Sequence, residues 1–338
     1  MTVPVAYRTK WCAASWYHLP LVVAQSFPYL LFFSIRHNIS LFHCRSYAVT
    51  LPAVLVQMMR GVKLIFDPRS DFPEEHVVAG NWSAGSFSYW AWKALERVYL
   101  KRADAVIAVT DTHKEHLRAV YGPARLLTVY NNVDTDRFKP DEAVRKRLRL
   151  GYNIGENEVL FCYCGSLGAH WNDPEIYAGY LIRCRSLAVK HRFLFITPDV
   201  AALAKVMAEH GIEEREYLAV SADFRDVPHF LAMADLGLVL MGSRRVVAGV
   251  KTAEYLAAGL PVITNEKLAG AVEIVEGNGV GMVDRGGAGT EALQQFLNGY
   301  PVNRATLAAR CRKTAESVFS NRAVCGMYAK LYRELVDI

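Results

Sequence analysis

The chain has 338 residues, 52% of them hydrophobic, which is enough for two buried cores and excludes a disordered or low-complexity polymer. Its formal charge of +6 favours an anionic ligand or surface. There is no basic stripe with interleaved aromatics, which excludes a nucleic-acid partner.

Near the start, Arg8 and Lys10 precede the apolar run "LPLVVAQSFPYLLFFSI" (19–35). A spanning helix needs about 20 apolar residues. This run is shorter, holds Gln25, Ser26 and Pro28, and lacks a clean cleavage site, so a buried or interfacial helix is expected. "ISLFHC" (39–44) and "VKLIFD" (62–67) read as strands. "SFSYWAWKALERVYLKRAD" (86–104) reads as a helix with Phe87, Trp90, Ala91, Ala94, Leu95 and Val98 on one apolar face. "AVIAVT" is a strand. Thr112 and Glu115 form a capping box for the next helix, which Gly122-Pro123 ends. "LLTVY" is a further strand. Residues 137–157 are charged and hold no strand. They read as a link whose Arg137, Lys139, Arg145, Lys146, Arg147 and Arg149 form a solvated basic face or touch anionic lipid, at about 1 kcal/mol each.

From residue 158 strands and helices alternate. "EVLFCYCGS" is a strand. "DPEIYAGYLIRCRSLAVK" is a helix with Asp173 as N-cap and Pro174 at its first position. "RFLFIT" is a strand, and "DVAALAKVMAEHG" is a helix capped by Asp199 and closed by Gly211. "YLAVSA", "LGLVLM", "PVIT" and "GMVD" are strands, separated by helices at "VPHFLAMAD", at 250–258 and near 268–276. Short apolar strands alternating with helices predict a parallel, doubly wound sheet. Residues 301–336 are helical by composition. The seven cysteines are odd in number, which argues against a secreted disulfide framework and for a reducing cytoplasm. Cys162 and Cys164 share one strand face with no second pair at zinc spacing, so they read as structural thiols and no metal site is expected.

The stretch "VKTAEYLAAGLPVITN" (250–265) carries the chemistry. A helix that starts after a strand in an open α/β sheet offers free N–H groups and positive potential to a phosphate. Lys251 in its first turn adds a full charge, Arg244 and Arg245 precede it, and Glu254 shares its face. A carboxylate there suits two vicinal ribose hydroxyls, so the set fits a nucleoside diphosphate. An exposed ion pair worth a few tenths of a kcal/mol is the plainer reading of the same spacing.

"KTAEYLAAGLPVITN" resembles the donor-site helix and strand of family 4 glycosyltransferases of the GT-B fold. "ADAVIAVTDTHKEHL" through "VYNNVDTDRFKP" (103–140) is similar to that family's passage into its linker. "VLFCYCGSLG" (159–168) resembles the first strand and glycine loop of its donor domain. "LFHCRSY" (41–47) and "FDPRSDFPEE" (66–75) look like segments of a bacterial subgroup. The resemblance implies an α/β, GT-B-like fold with two Rossmann-type domains facing a cleft. The expected divisions are an abbreviated acceptor-side domain at 1–140, a link at 141–157, a donor domain at 158–318 and a helix at 319–338 packing back on the first domain. It implies retaining transfer of a sugar from a nucleoside-diphosphate sugar to a hydroxyl of a glycan, lipid-linked or small-molecule acceptor. A surface-glycan role, a cytoplasmic location at the inner membrane face, peripheral membrane contact and no cofactor or metal are expected with it.

By the same resemblance Glu254 matches the ribose glutamate, and Gly165, Ser166 and Leu167 match the loop near the diphosphate. Thr252 joins this donor set with Arg244 and Arg245. Lys251, Glu254 and Asp67 form the expected catalytic group, Asp67 falling where many members place a sugar-contacting histidine. His43, Arg45, Arg69 and Glu75 are expected on the acceptor side. Three departures stand out. Val246 occupies the place of a second glutamate, Ser166 takes an arginine's place, and the usual opening strand, glycine loop and helix are absent, so by this resemblance the chain is expected to enter its first domain partway, near "VAYRTKW". Lys251 with Arg244 or Arg245 is expected to supply the missing charge. A sugar-nucleotide epimerase and a non-catalytic nucleotide-sugar-binding remnant stay open as alternatives.

Other signals are weaker. "GNGVG" (277–281) lacks the strand-before, helix-after context of a dinucleotide site. His113 and His116 read as part of a solvated helix face. The loop with Asp67, Arg69, Asp71, Glu74 and Glu75 follows an apolar strand, a position where functional loops sit.

Overall fold

The computed structural model describes residues 19–122, 125–168, 173–245, 247, 249–286 and 290–336. The chain divides into two compact units. Unit 1 gathers residues 1–108, 117–128 and 329–338, and unit 2 gathers 109–116 and 129–328.

Unit 1 is built on four parallel strands in the order β1 (Leu41–Arg45), β2 (Lys63–Asp67), β3 (Ala105–Ala108) and β4 (Leu126–Thr128). Around them run α1 (Leu19–Arg36), α2 (Tyr47–Arg60), α3 (Phe72–Val78), α4 (Phe87–Arg102) and the end of α5 (Asp111–Tyr121). Leu64 and Phe66 of β2 point into a core with Tyr47, Val54, Trp92 and Tyr99. Buried strands without a solvated face need apolar residues at every position, which is why "LIF" and "AVIA" show no alternation.

One expectation fails in this unit, and of the buried and interfacial readings of α1 the buried one does too. The apolar face of α4 is not the buried one. Phe87 (68%), Trp90 (61%) and Val98 stay exposed, and Trp92, Glu96, Tyr99 and Leu100 are buried instead. Glu96 is drawn in because Tyr47, Tyr121 and Lys93 all donate to its carboxylate. Burial pushes the Glu96 pKa up, and Lys93 and Tyr47 only partly oppose the rise. Helix α1 is not a core helix either: only Ser34 is buried, and Phe32 and Ile35 face solvent. It packs along α2 and, by length and composition alone, is apolar enough to cross a membrane.

Unit 2 has six parallel strands in the order β10-β9-β8-β5-β6-β7. In chain order these are β5 (Val159–Cys164), β6 (His191–Ile196), β7 (Tyr217–Val220), β8 (Leu236–Val239), β9 (Val262–Asn265) and β10 (Gly281–Asp284). The connecting helices are α6 (Glu142–Gly151), α7 (Pro174–Cys184), α8 (Val200–Glu209), α9 (Val227–Met233), α10 (Val250–Ala257) and α11 (Ala269–Asn278). Helix α12 (Glu291–Thr314) and a short π-helical turn lead into α13 (Asn321–Val336). Alternate residues of β5 serve two cores. Leu160, Cys162 and Cys164 pack with Tyr255 and Leu256, whereas Phe161 and Tyr163 pack with Tyr177, Phe193 and Phe195. The sheet winds outward in both directions from β5 and β8, which makes their carboxyl ends the switch point where ligands bind in such sheets.

Several details of the sequence reading are corrected here. The charged segment taken for a link contains α6, which belongs to unit 2. Its Arg145 and Arg149 are buried rather than solvated. Both reach Asp235, at 2.8 and 3.0 Å, and donate to backbone carbonyls as well. Leu160 N–H adds a third hydrogen bond to that carboxylate. Asp199 does not cap α8 with its side chain. Helix α5 starts before Thr112, at Asp111: the Thr110 hydroxyl accepts from His113 N–H at 2.9 Å as its cap, and Glu273 accepts from the N–H groups of Asp111 and Thr112 and from the Thr112 hydroxyl. His113 is fully buried, its Nδ1 facing the Val109 N–H, so the solvated-face reading fails for it. Pro123 lies outside the described residues.

Candidate functional site

In unit 2, the carboxyl end of β5 passes into Gly165-Ser166-Leu167-Gly168, and every one of the first three residues is held. Gly165 N–H donates to Ile196 O, the Tyr163 hydroxyl donates to Ser166 O at 2.8 Å, and Leu167 N–H donates to Asp199 at 2.7 Å. That bond is where the Asp199 carboxylate is used. Gly165 is required because a Cβ there would lie 2.9 Å from the Tyr163 oxygen. The Gly168 φ of +95° is a conformation that favours glycine.

Helix α10 starts against this loop and is pinned to it. The Tyr255 hydroxyl accepts from Cys164 N–H at 2.7 Å. Its ring lies over β8 only because Gly237 has no Cβ, which would sit 2.3 Å from the ring. Gly249 begins the helix and offers no side-chain cap; Thr252 N–H turns back to Gly249 O at 3.2 Å, which leaves the N–H groups of Val250 and Lys251 to an incoming acceptor. After α10, Gly259 at φ +76° turns the chain directly into β9.

On α10, Lys251 Nζ lies 2.7 Å from Glu254 Oε2, with side-chain exposures of 32% and 7%. This is not the exposed surface pair that spacing alone allowed. Burial draws the Lys251 pKa down, but the Cys164 sulfur and Glu254 outweigh it and the net shift is upward. Burial holds the Cys164 thiol up at about 11, so the sulfur is uncharged near neutral pH and Glu254 is the acidic side chain that Lys251 faces. Thr252 is 1% exposed, and among the described residues its hydroxyl oxygen has no hydrogen-bond partner. A buried hydroxyl of this kind is a costly loose end unless a ligand answers it.

The two arginines before the helix differ. Arg244 is exposed. Arg245 is 7% exposed and its backbone bridges to the turn before α11 through Lys267 and Ala269. Val246 lies outside the described residues.

Unit 1 carries a second constellation at the carboxyl ends of β1 and β2. Asp67 is fully buried. His43 Nε2 lies 3.4 Å from it and Arg69 3.6 Å, and His43 Nδ1 meets the Tyr332 hydroxyl at 2.6 Å. Arg69 (φ +66°) and Ser46 (φ +113°) hold backbone conformations rare for side-chain-bearing residues, and such strain gathers at functional sites. Arg45 is exposed at the end of β1. Glu75, on α3, accepts from the Ser70 hydroxyl at 2.8 Å. Tyr332 is 289 residues from His43, and no local signal in the sequence points to it. Tyr163 and Tyr255 were hidden inside apolar runs, where they read as core.

Residues 6–137 match the model of Glycosyltransferase Family 4. A GDP-mannose-dependent alpha-(1-6)-phosphatidylinositol monomannoside mannosyltransferase of Mycobacterium tuberculosis is 28% identical over 204 residues, which is 57% of this chain and 53% of that protein. The protein of the same description from Mycolicibacterium smegmatis is 24% identical over 205 residues, 58% of this chain and 54% of its own. By sequence, this chain is similar to the family 4 glycosyltransferases. The matched chain spans about half the length of these curated relatives. Among solved structures, a glycosyltransferase from Rickettsia africae superposes with a TM-score of 0.73 at 16% identity, covering 99% of this chain and 84% of that one. Anabaena Alr3699/HepE in complex with UDP gives a TM-score of 0.74 at 16% identity, covering 93% and 82%. These likenesses establish two Rossmann-type domains of the GT-B kind.

Proposed function

We propose that this chain transfers a hexose from a nucleoside-diphosphate sugar to an acceptor hydroxyl with retention of anomeric configuration, in the making of a bacterial surface glycan. The observation that carries the reading is α10 of unit 2. An uncapped helix N-terminus, a protonated lysine, a buried carboxylate and an unanswered threonine hydroxyl converge beside a fixed glycine loop.

In the reaction the bond from the anomeric carbon to phosphate breaks, its electron pair leaves with the diphosphate, a bond to the acceptor oxygen forms, and the hydroxyl proton is released. Charge therefore accumulates on the departing phosphate. Lys251 and the first-turn N–H groups stabilise it, an electrostatic role that grows as the bond breaks. Glu254 takes the ribose hydroxyls, and Gly165, Ser166, Leu167 and Thr252 line the diphosphate, with Arg244 as a further cation. Asp67, His43 and Arg69 are assigned to sugar or acceptor hydroxyls, and Arg45 to the acceptor. No metal or cofactor is invoked, and the reaction is placed in the cytoplasm.

GDP-mannose is the first donor to try, because the mycobacterial relatives are named for it, and UDP-glucose the second. The test incubates each with glycan and lipid-linked acceptors, follows nucleoside-diphosphate release, and reads the product's anomeric coupling by NMR. Release that depends on acceptor and gives a retained product supports the proposal. An inverted product refutes retention, a changed sugar without acceptor supports the epimerase, and no release from a folded sample refutes transfer.

A further inference from the structure

A separate cavity lies at the opposite edge of the unit 1 sheet, where α4 runs into β3 and α5 is followed by β4. It measures about 540 Å³ and is lined by Arg97, Leu100, Lys101, Val120, Tyr121 and Arg125, with Ala103 at its base. Three cations and no carboxylate line it. Arg97 and Lys101 are four residues apart on one helix face, a like-charge spacing that destabilises a helix. Lys101 in the last turn of α4 is explained by the helix dipole, but Arg97 is a turn too early for that. Arg125 pairs with Glu334, whereas no ion pair to Arg97 or Lys101 occurs among the described residues. The nearest buried acid, Glu96, is taken up by Tyr47, Lys93 and Tyr121, and the Tyr121 hydroxyl is the group through which it reaches the cavity wall.

We propose that this cavity is a binding site for a phosphoryl group, held by Arg97, Lys101 and Arg125 over an apolar floor of Leu100, Ala103 and Val120. Arginine forks match phosphate oxygens in pairs, and lysine adds a point charge. The apolar floor suits a phosphate on a hydrocarbon carrier as well as a free one. The carrier side has a matching surface, since the same α4 exposes Trp90 and Phe87 further along. The cavity is at the amino ends of β3 and β4, whereas His43 and Asp67 stand at the carboxyl ends of β1 and β2. The site is therefore independent of the proposed transfer chemistry.

The test titrates inorganic phosphate by calorimetry and, separately, measures sedimentation with phosphatidylglycerol and phosphatidylcholine vesicles. The wild type is compared with Arg97→Ala/Lys101→Ala and with Lys205→Ala/Lys313→Ala, which removes the same charge at exposed positions elsewhere. The first pair should weaken binding about 30-fold, from roughly 1 kcal/mol for each cation removed, and the second should not. Binding of soluble phosphate identifies a free ligand, and binding of phosphatidylglycerol vesicles alone identifies a lipid headgroup. Binding of neither, or equal loss in both double variants, overturns the proposal. Arg125→Ala, on a different element, repeats the test if the α4 variant fails to fold.

Discussion

Replacing Glu254 by alanine should all but abolish nucleotide binding, and its size can be worked from the site. The carboxylate is 7% exposed and pairs with Lys251. Two hydrogen bonds from ribose hydroxyls to an ionised, buried acceptor are worth about 1.5 kcal/mol each at the low end, so about 3 kcal/mol is lost, or about 150-fold in affinity. A nucleotide at about 100 times its dissociation constant stabilises the wild type by about 2.7 kcal/mol. At the same concentration the variant would sit near two thirds of its own constant and gain only about 0.3 kcal/mol. For a domain of this size that is a rise in Tm of about 5–11 °C against about 1 °C or less. Thermal unfolding with GDP, UDP, ADP and CMP reads both values directly. An undiminished shift in Glu254→Ala would refute the ribose assignment. A shift lost in Glu254→Ala but kept in Glu254→Gln would move the role from charge to hydrogen bonding.

Three further outcomes follow from packing and charge. Gly237→Ala puts a Cβ 2.3 Å from the Tyr255 ring, and chemical denaturation should show a loss of about 1–3 kcal/mol or more, with weakened nucleotide binding because α10 must move. Asp235→Ala strands Arg145 and Arg149 in the interior, and the urea midpoint should fall by the equivalent of about 3–5 kcal/mol. Glu158 accepts from Arg192, Lys190 and Gly155 N–H, and although burial opposes it these partners hold its pKa below the ordinary carboxylate value. The stability it adds is present above its unfolded pKa and fades as pH falls through the folded one. Glu158→Gln should therefore be less stable than the wild type at pH 7, and the gap should close in acid. A gap independent of pH would refute the assignment.

The sheet of unit 2 was legible because strands buried on both faces are short apolar runs with helix caps and glycines between them, as at "LFCYCGS" and "LGLVLM". The Lys251–Glu254 pair was legible as a spacing, but not as a buried pair, since burial depends on Tyr255 and Gly237 drawing α10 onto the sheet. Where side chains bond across long separations, local pattern misled. Glu96 overrode the apolar face of α4, Asp235 turned a basic helix inward, and Glu273 took up the N–H of Thr112, where a cap was expected. Tyr332 at His43 and Asp199 at Leu167 belong to the same class, contacts that exist only once the chain has folded back.

Residues 329–338 cluster with a unit whose other members end at residue 128. A ribosome adding about 5–20 residues per second needs roughly 10–40 s to cover the distance between them. During that interval His43 has no Tyr332 to meet, while unit 2, which runs to residue 328, is made in full. The usual order of vectorial folding, amino-terminal domain first, is thus reversed for the final step. The four strands of unit 1 are all made by residue 128, but the His43 constellation waits for its tyrosine until residue 332 follows.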